Sequence, residues 1–456
     1  MSLLRRTAEL AEEYLEGIGD RRVGALTGYE EALAGLDRPL PEDGAEPEAV
    51  IEELAASVGP ATVASAGPRY FGFVTGGSLP AALAADWLVS SWDQNVYTRT
   101  TSPAGAAVDA VTERWVLEAL GLPVDAAVGF ATGATTGNLV GVLAARNRLL
   151  ADAGWDVEAD GLAGSPGVRI LVGAEVHPSL LNALRMAGLG PGRAERVPVD
   201  GQGAMRAEAL ADALASEAGP TLVCSQAGNV NTGAIDPVGE IAAAAADRGA
   251  CWVHVDGAFG LWAAAAPSLR HLVDGVVRAH SWSVDAHKWL NVPYDTALAI
   301  VADPAAARAA LGASASYLPV AEDREPGELV PEMSRRSRAV PVYAALASLG
   351  RSGLGAMIER CCAHARRLAS AMDELDGAEV LNEVVLNQVL VRFGDDDRTT
   401  RAVIDEVVRR GDAWLGGTVW QGRAAVRVSF SNWSTTDADV DRLATAFTDA
   451  LGAVRS

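Results

Sequence analysis

Short apolar segments alternate with alanine-rich helical patterns between about residues 70 and 305, and this alternation restricts the fold more than any other feature. Segments rich in β-branched or apolar residues lie at 168–172, 221–225, 251–256, 280–284 and 297–301. Helical patterns lie between them, at 138–150, 179–188, 206–217 and 237–248. Because strand–helix–strand units of this length close by right-handed crossovers, the pattern predicts an α/β fold with a mostly parallel central sheet.

The segments on either side of this alternation have other patterns. Residues 1–66 contain two amphipathic helical stretches and a loop, in which Pro39, Pro41 and Pro47 interrupt the helical pattern. The charged, proline-containing stretch 313–337 predicts a long loop. Helical and strand-like patterns follow at 340–375, 387–393, 399–410, 418–421, 425–430 and from 436 onward. We therefore predict an N-terminal helical segment (1–66), a large α/β domain (67–338) and a small C-terminal α+β domain (339–456).

The charge balance argues against two classes of partner. The 456 residues include 37 basic and 59 acidic side chains, which gives a net charge of −22. Such a field repels nucleic acids and anionic membrane surfaces, so we expect neither to bind. The first residues are acidic where a secretion signal is apolar, no apolar run is long enough to span a bilayer, and the four cysteines lack metal-ligand spacing. We expect a cytoplasmic protein without a metal site.

Only one of the 37 basic residues is a lysine, Lys288, in the segment SWSVDAHKWLNVPYD. Arginine replaces lysine freely as a solvated charge, but its guanidinium does not lose a proton to act as an amine nucleophile. A chain that otherwise avoids lysine therefore suggests chemistry for this amine. The alternative is a lysine retained by chance, and the count alone does not decide between them.

Chemically distinctive residues follow the predicted strands, where open α/β sheets bind their ligands. The segment 129–138 (GFATGATTGN) precedes a helix, and its free N–H groups suit an anion, although such segments are often plain helix caps. Asp256 ends an apolar strand, where its carboxylate suits either a cationic ring nitrogen or a turn. His177 precedes a proline and a helix, where it either stacks on a ligand or caps the helix.

Taken together, these residues indicate a pyridoxal 5′-phosphate site more specifically than any one of them. His287 and Lys288 follow the predicted strand 280–284, at the same edge of the sheet as Asp256 and the glycine-rich segment. A lysine holds the aldehyde of this cofactor as a Schiff base, an aspartate keeps its pyridine nitrogen protonated, and backbone amides hold its phosphate. The set therefore predicts an enzyme that uses this cofactor through Lys288.

The same motifs resemble those of the pyridoxal-dependent decarboxylase family, which includes glutamate, aromatic-amino-acid and diaminobutyrate decarboxylases. SVDAHKW resembles the family's Asn-Pro-His-Lys motif, with Asp285 and Ala286 in place of Asn-Pro, and HVDGAFG matches its His-Val-Asp-Ala-Ala-Tyr/Phe-Gly. TGATTGNL (132–139) resembles its phosphate segment, Ser-Gly-Gly-Thr-Glu-Ala-Asn-Leu. PRYFGFVTGG (68–77) and RVSFSN (427–432) are similar to segments of glutamate decarboxylases. The resemblance runs from about residue 67 to 432.

The resemblance implies a role for each matching residue. It implies that Lys288 forms the Schiff base, Asp256 pairs with the pyridine nitrogen and His177 stacks over the ring. Further cofactor contacts are implied for Gly133, Ala134, Thr135, Asn231, Ala258, Ser281 and His287. Substrate contacts are implied for Phe73, Thr75 and Arg427, with Arg427 on the α-carboxylate. The resemblance also implies the fold type I architecture, and a homodimer with active sites at its interface and N-terminal helices wrapped around the partner.

Two departures from the family pattern leave the product and the substrate open. In many relatives a loop tyrosine protonates the α-carbon, but the stretch 313–337 contains only Tyr317, near its start, so Tyr317, His177 or water is the candidate donor. Relatives without this tyrosine can turn to oxidative, aldehyde-forming reactions. Residues 73–77 stand where aromatic-amino-acid decarboxylases have an aromatic clamp, and their small and hydroxylated side chains suit a polar or small aliphatic substrate at least as well.

We therefore predict an amino-acid decarboxylase that converts an L-amino acid, a small molecule, into an amine and CO₂. Alternatives with the same cofactor are a carbon–carbon lyase or aldolase, an aldehyde synthase and an aminotransferase. The His287–Lys288 pair and the segment around Arg427 favour the decarboxylase. A degenerate member that binds the cofactor and acts through protein interaction is a further alternative, and the retained Lys288, Asp256 and His177 argue against it.

Overall fold

A computed structural model describes residues 2–312 and 324–456, and the contacts within it divide the chain into two compact units. The large unit contains Ser78–Ala363 and Asn382–Gln388, and the small unit contains Met1–Gly77, His364–Leu381 and Val389–Ser456. The N-terminal residues thus fall in the same unit as most of the C-terminal segment. The division into three segments at 66/67 and 338/339 stays a prediction.

The N-terminal segment contains three helices where the sequence predicted two, namely α1 (Leu3–Gly17), α2 (Tyr29–Leu36) and α3 (Pro47–Val58). The pattern predicted an interruption at Pro47, but this residue occupies the first turn of α3. Proline is tolerated there because the first N–H groups of a helix have no partner within it, and its fixed φ suits the helical conformation. The interpretation of Pro47 as a break was therefore wrong.

A seven-stranded sheet in the large unit confirms the predicted α/β class. Its strands are β1 (Ala127–Ala131), β2 (Arg169–Gly173), β3 (Glu195–Val197), β4 (Thr221–Gln226), β5 (Cys251–Asp256), β6 (Ser281–Asp285) and β7 (Ala297–Val301). Their order across the sheet is β1-β7-β6-β5-β4-β2-β3. β7 is antiparallel to both of its neighbours, and the other neighbouring strands are parallel. The sheet is therefore mostly parallel, as the alternation predicted.

Part of β1 lies within the glycine-rich segment 129–138, which the sequence suggested as an anion site or a helix cap. Residues 129–131 open the glycine-rich segment, but they belong to β1, which pairs with β7. All five residues of β1 are buried, so this strand lacks the polar and apolar alternation that marks a half-exposed strand. A glycine at its centre and the threonines that follow it gave this stretch the composition of a loop.

Helices of the large unit lie before, between and after these strands. They are α4 (Pro80–Trp92), α5 (Pro103–Leu120), α6 (Ala134–Asp152), α7 (Val157–Asp160), α8 (Pro178–Met186), α9 (Ala207–Ser216), α10 (Val238–Arg248) and α11 (Pro304–Leu311). α12 (Ala339–Asp373) contributes residues to both units and is interrupted at Gly350, where φ is 61°. Within the part of the chain that the structure describes, none of the helices combines the length and the apolar character needed to cross a membrane.

α6 approaches the sheet closely because two of its glycines face the strands. A Cβ atom at Gly137 would lie 2.9 Å from Ser283 Cβ, and one at Gly141 would lie 2.4 Å from His254 Nδ1. Larger side chains at these positions would push α6 away from β5 and β6. The close packing places the amino end of α6 beside the carboxyl ends of these strands, where open α/β sheets bind ligands.

The small unit contains the predicted C-terminal α+β pattern. Its sheet has the order β10-β11-β9-β8, with β8 (Ala378–Val380), β9 (Gln388–Phe393), β10 (Gly416–Trp420) and β11 (Arg423–Ser429). α13 (Asp397–Arg410) and α14 (Asp437–Arg455) accompany it. The helix predicted from residue 436 begins at Asp437 because Thr436 caps it, since the Thr436 hydroxyl accepts from Asp439 N–H while the Asp439 carboxylate accepts from Thr436 N–H.

Candidate active site

Lys288 lies at the carboxyl end of the large sheet, three residues beyond the end of β6. Its Nζ lies 2.9 Å from Asp285 Oδ2, and its side chain is 21% exposed, against 3% for Asp285. The amine therefore reaches an opening of a largely buried site. The cavity at this opening is lined by Lys288 and by His177, Gln226, Gly228, Val230, Asp256, Ala258 and Phe259. Four residues that the sequence predicted for the site, Lys288, Asp256, His177 and Ala258, thus lie around one cavity.

Asp256 ends β5 and is 4% exposed. Asn138 of α6 donates from Nδ2 to Asp256 Oδ2 at 3.0 Å, and Ala258 N–H donates to Oδ1 at 3.2 Å. A carboxylate loses its hydration at such a depth, so these donors stabilise it. Both donors are neutral, and the charge of the carboxylate is not balanced by them. A cation in the cavity, such as a protonated ring nitrogen, fits this end of the site.

A chain of hydrogen bonds extends from Asn138 into the interior of the sheet. Asn138 Oδ1 lies 2.9 Å from His254 Nε2, and His254 Nδ1 lies 2.8 Å from Ser281 Oγ. Trp252 Nε1 donates to the same Ser281 oxygen at 2.8 Å. Burial lowers the pKa of His254 to about 4, so its ring is neutral at pH 7. An amide oxygen only accepts hydrogen bonds, so Nε2 carries the proton, Nδ1 accepts from Ser281, and the NH₂ group of Asn138 is held toward Asp256.

The amino end of α6 lies beside the carboxyl end of β6. Gly133, the N-cap residue of α6, has no side chain, and Ala134 N–H instead donates to Asp285 Oδ1 at 2.6 Å. His287 Nδ1 accepts from Thr296 N–H at 3.2 Å, which places the proton of this ring on Nε2, 3.6 Å from Asp285 Oδ1. Burial lowers the pKa of His287. Because the first N–H groups of a helix have no acceptor within it, this end of the site suits a phosphate.

His177 is both a helix cap and a wall of the cavity. Its Nδ1 accepts from Ser179 N–H at 3.2 Å and lies 2.7 Å from Ser179 Oγ, at the start of α8. These contacts fix the orientation of the ring. The two interpretations that the sequence allowed, a cap and a ligand contact, therefore do not exclude each other.

The contact of Ser281 with the phosphate stays a prediction, and the structure shows where this residue lies. Ser281 begins β6, whereas Asp285 ends this strand beside α6. The Ser281 hydroxyl is fully buried within the sheet and is engaged by Trp252 and His254. Ser281 thus belongs to the hydrogen-bond network behind Asp256.

Asn231 lies in a tight turn next to the cavity. Its N–H donates to Asn229 Oδ1 at 2.8 Å, and Gly233 N–H donates to Asn229 O at 2.8 Å. Its neighbour Val230 lines the cavity with Lys288. The turn thus belongs to the site, and the contact of Asn231 with a cofactor stays a prediction, as do those of Thr135 and Gly133.

The three predicted substrate residues lie in the small unit. The guanidinium carbon of Arg427 lies 6.0 Å from the ring centre of Phe73, which is 63% exposed, while Thr75 is buried. Burial lowers the pKa of Arg427. Trp414, which the sequence analysis did not single out, lies beside Phe73 with ring centres 5.2 Å apart. The structure brings Phe73 and Arg427 together, and the contact of all three residues with a substrate stays a prediction.

The predicted proton donor, Tyr317, lies outside the described residues. Across residues 2–312 and 324–456, no group of three or more His, Cys, Asp or Glu side chains is arranged to hold a metal ion. The residues that could hold a cofactor line the cavity and the start of α6.

Sequence reasoning missed Asn138 and Asp285 as residues of the site. Asn138 stands in the TGNL motif that matched the family's phosphate segment, so its position was noticed without its role. Asp285 was noticed only because it stands where the family's Asn-Pro-His-Lys motif has an asparagine. Their contacts, to Asp256 over 118 positions and to Ala134 over 151 positions, join segments that the sequence separates widely.

Comparison with known proteins gives one family over most of the chain. Residues 29–393 match the family model described as "Pyridoxal-dependent decarboxylase conserved domain". Tryptophan decarboxylase 1 of Oryza sativa subsp. japonica is 28% identical over 415 residues, which cover 83% of this chain and 79% of the relative. L-2,4-diaminobutyrate decarboxylase of Acinetobacter baumannii is 28% identical over 361 residues, which cover 73% of this chain and 70% of the relative.

Solved structures agree on the fold. The crystal structure of Oryza sativa TDC with PLP and tryptamine has a TM-score of 0.92 at 23% identity, covering 100% of this chain and 98% of that chain. The crystal structure of Rhodiola rosea 4-hydroxyphenylacetaldehyde synthase has a TM-score of 0.88 at 21% identity, covering 99% and 97%. These likenesses confirm the predicted fold type I architecture.

Proposed function

Because this chain belongs to the pyridoxal-dependent decarboxylase family, we propose that it removes the α-carboxylate of an L-amino acid as CO₂, with Lys288 as the amine that binds the cofactor aldehyde. The cofactor is pyridoxal 5′-phosphate, and the chain is a carboxy-lyase. The observation that carries the proposal is the single cavity lined by Lys288, Asp256 and His177. An amine, a buried carboxylate and an imidazole around one cavity fit the needs of this cofactor.

Each residue of the cavity has a proposed task. When bound, the cofactor supplies a ring that accepts the electron pair left by the departing CO₂. Asp256 would accept a hydrogen bond from the protonated ring nitrogen, since its own donors are neutral and leave its charge unbalanced. His177, fixed as the cap of α8, would hold one face of the ring. Ala258, with only a methyl group, would leave room at the other face.

We assign the cofactor phosphate to the amino end of α6. Gly133 allows close approach because it has no side chain, and the N–H groups of Ala134 and Thr135 belong to the first turn. His287 adds an N–H at Nε2, because its Nδ1 is occupied by Thr296 N–H. Asn231, in the turn next to Val230, completes the proposed set.

The substrate is proposed only as a class. By their names, the relatives act on tryptophan and on 2,4-diaminobutyrate, and a relative from Homo sapiens, 28% identical over 352 residues that cover 75% of this chain and 66% of the relative, acts on acidic amino acids. These side chains differ in size and charge, whereas the α-carboxylate is common to them. We propose Arg427 for that carboxylate, with Phe73 and Thr75 as neighbours, because its guanidinium is largely buried beside an exposed ring.

We also propose a homodimer in the cytoplasm. The N-terminal helices support the dimer, since α1, α2 and α3 contain no buried residues within this chain. Large apolar side chains of this segment are exposed, including Leu4 at 72% and Tyr29 at 75% in helices and Leu40 at 94% in the loop between α2 and α3. A partner chain that covers them would remove this apolar surface from water. The molar mass in solution, measured by light scattering, tests the proposal.

The activity is tested by incubating the cofactor-loaded protein with the common L-amino acids in air. CO₂ release and product mass are followed together. An amine with an equal amount of CO₂ is the expected result and identifies the substrate. CO₂ with an aldehyde would instead indicate oxidative chemistry, and no CO₂ from any amino acid would overturn the proposal.

The role of Lys288 is tested with two variants. Lys288→Ala removes the amine, and we expect loss of both the visible absorbance of the bound cofactor and the activity. Lys288→Arg is the matched control, because it keeps a positive charge beside Asp285 but offers no nucleophilic amine. Both variants are expected to be inactive, and activity close to that of the wild type in either one would exclude Lys288 as the amine.

A further inference from the structure

The amino end of α6 is capped by a carboxylate from another part of the chain. Its N-cap residue, Gly133, has no side chain, and Ala134 N–H donates to Asp285 Oδ1 at 2.6 Å. Asp285 is held in place by two further hydrogen bonds and is buried. Its N–H donates to Ala258 O, its C=O accepts from Trp262 Nε1, and its side chain is only 3% exposed. The carboxylate therefore occupies the position where an anion would bind the helix.

Two basic side chains, Lys288 and His287, lie near the Asp285 carboxylate. Lys288 Nζ lies 2.9 Å from Asp285 Oδ2, and His287 Nε2 lies 3.6 Å from Oδ1. Burial lowers the pKa of His287 and so disfavours its charged form, whereas Lys288 forms an ion pair with Asp285. From α6, Asp285 is faced by the N–H of Ala134. One anion and one cation thus already form a pair at the helix start.

We propose that the Asp285 carboxylate competes with the cofactor phosphate for the amino end of α6 and thereby lowers the affinity of this chain for pyridoxal 5′-phosphate. Two anions that approach the same N–H group lie within a few ångströms of each other, and in a buried site they repel each other strongly. A neutral side chain at this position, such as the asparagine of the motif that SVDAHKW resembles, would not repel the phosphate. The inference rests on the proposed place of the phosphate at α6.

The competition would make the cofactor content of the protein depend on the concentration of free cofactor. A chain that holds its cofactor less tightly exchanges it more readily, and its active fraction follows the concentration of free pyridoxal 5′-phosphate. Asp285 would therefore act as a positioning residue that sets cofactor occupancy, since it acts on the phosphate through the helix start.

The test is an equilibrium titration of the full chain, freed of cofactor, with two ligands. Pyridoxal 5′-phosphate and pyridoxal carry the same aldehyde and ring, but only the first carries the phosphate. We expect Asp285→Asn to lower the Kd for pyridoxal 5′-phosphate by at least about tenfold, which corresponds to about 1.4 kcal/mol. The Kd for pyridoxal is expected to change by less than about twofold. An effect of the substitution on Lys288 would change both Kd values equally, so the ratio of the two Kd values reports the effect on phosphate binding alone.

The other outcomes are distinct. An equal change for both ligands would place the effect on Lys288, and an unchanged or weakened affinity for pyridoxal 5′-phosphate in Asp285→Asn would remove the competition; either result overturns the inference. If the wild type binds neither ligand, the proposed function fails first, and the inference that rests on it falls too.

A second measurement covers the case in which Asp285→Asn does not fold. Asp285→Ser removes the charge and leaves a smaller polar side chain, and inorganic phosphate serves as a probe without an aldehyde. We expect phosphate to raise the melting temperature of Asp285→Ser more than that of the wild type, because a ligand that binds the folded state stabilises it. Equal shifts in the two proteins would overturn the inference.

Discussion

Asp256 and Asp285 end neighbouring parallel strands, yet the structure holds them in opposite ways. Asp256 receives hydrogen bonds from a side-chain amide and a backbone N–H, and both of these donors are neutral. Asp285 already has a cation, Lys288, and a helix start. The proposed cofactor complements the first with its ring nitrogen and competes with the second through its phosphate. An aspartate at the end of a strand can therefore either bind the cofactor or compete with it. The neighbours of the carboxylate decide between these two outcomes.

The largest effect is expected for a substitution of Asp256, which tests its side of this comparison. Asp256→Asn keeps the shape of the side chain but removes its charge, and we expect amine formation to fall by on the order of 10²–10³-fold because the ring nitrogen loses its anionic partner. The rate is measured under cofactor saturation, with the visible absorbance as a check that cofactor is bound. Asp285→Asn is the matched substitution, for which cofactor affinity is expected to rise. A rate for Asp256→Asn within tenfold of the wild type would contradict the assigned role.

The pH dependence of stability tests the network behind Asp256. Burial lowers the pKa of His254 from 6.5 to about 4, so the unfolded chain binds a proton in this range that the folded chain does not. The contribution of the neutral ring to stability is fully present above pH 6.5 and is lost as the pH falls toward 4. It amounts to about 3 kcal/mol. Urea unfolding of the wild type and His254→Gln at pH 7 and pH 4 is expected to show this loss only in the wild type.

Two buried carboxyl groups act in the opposite sense. Burial raises the pKa values of Asp109 and Asp236 to about 6, so their contribution is present below pH 3.8 and is lost as the pH rises through 6. Both groups are common to the wild type and His254→Gln, so their effect cancels in the difference between the two proteins. An equal dependence on pH in the two proteins would contradict the neutral state of the His254 ring.

A smaller effect is expected at Asn138, which links Asp256 to His254. Asn138→Ala removes a partner from both Asp256 and His254, which we expect to lower the free energy of unfolding by about 1–3 kcal/mol and also to slow decarboxylation. Asn147→Ala is the matched control on the same helix, because Asn147 bonds Glu158 and Ala309 O instead. A loss of stability in both variants with a loss of rate only in Asn138→Ala is the expected pattern. Equal rates would leave Asn138 a purely structural residue.

The smallest effect distinguishes the structure from the sequence interpretation of Ser281. Ser281→Ala removes one buried hydroxyl from Trp252 and His254, at an expected cost of about 1 kcal/mol in the free energy of unfolding. The Kd for pyridoxal 5′-phosphate is expected to stay within twofold of the wild type. A tenfold weaker Kd would restore Ser281 as a phosphate contact.

The strands show how far sequence patterns reach. The patterns at 251–256 and 297–301 coincide with β5 and β7, because each is an apolar run bounded by polar or small residues and long enough for one strand. β3 (Glu195–Val197) was not predicted, since three residues at the edge of a sheet with two exposed side chains carry no period. Long buried strands can therefore be predicted from the sequence. The formation of a short edge strand depends on the neighbouring strand that pairs with it.

What the sequence by itself determined is the inventory of the site. A single lysine, an aspartate at a strand end and a glycine-rich helix start are local features, and their chemistry restricts the cofactor before any fold is known. The tertiary structure alone decided their partners, because hydrogen bonds such as those of Asn138 with Asp256 and of Ala134 with Asp285 join residues more than 100 positions apart. Whether a buried carboxylate attracts a ligand or competes with it depends on the charges within a few ångströms, and only the packing of α6 on β5 and β6 brings those charges together.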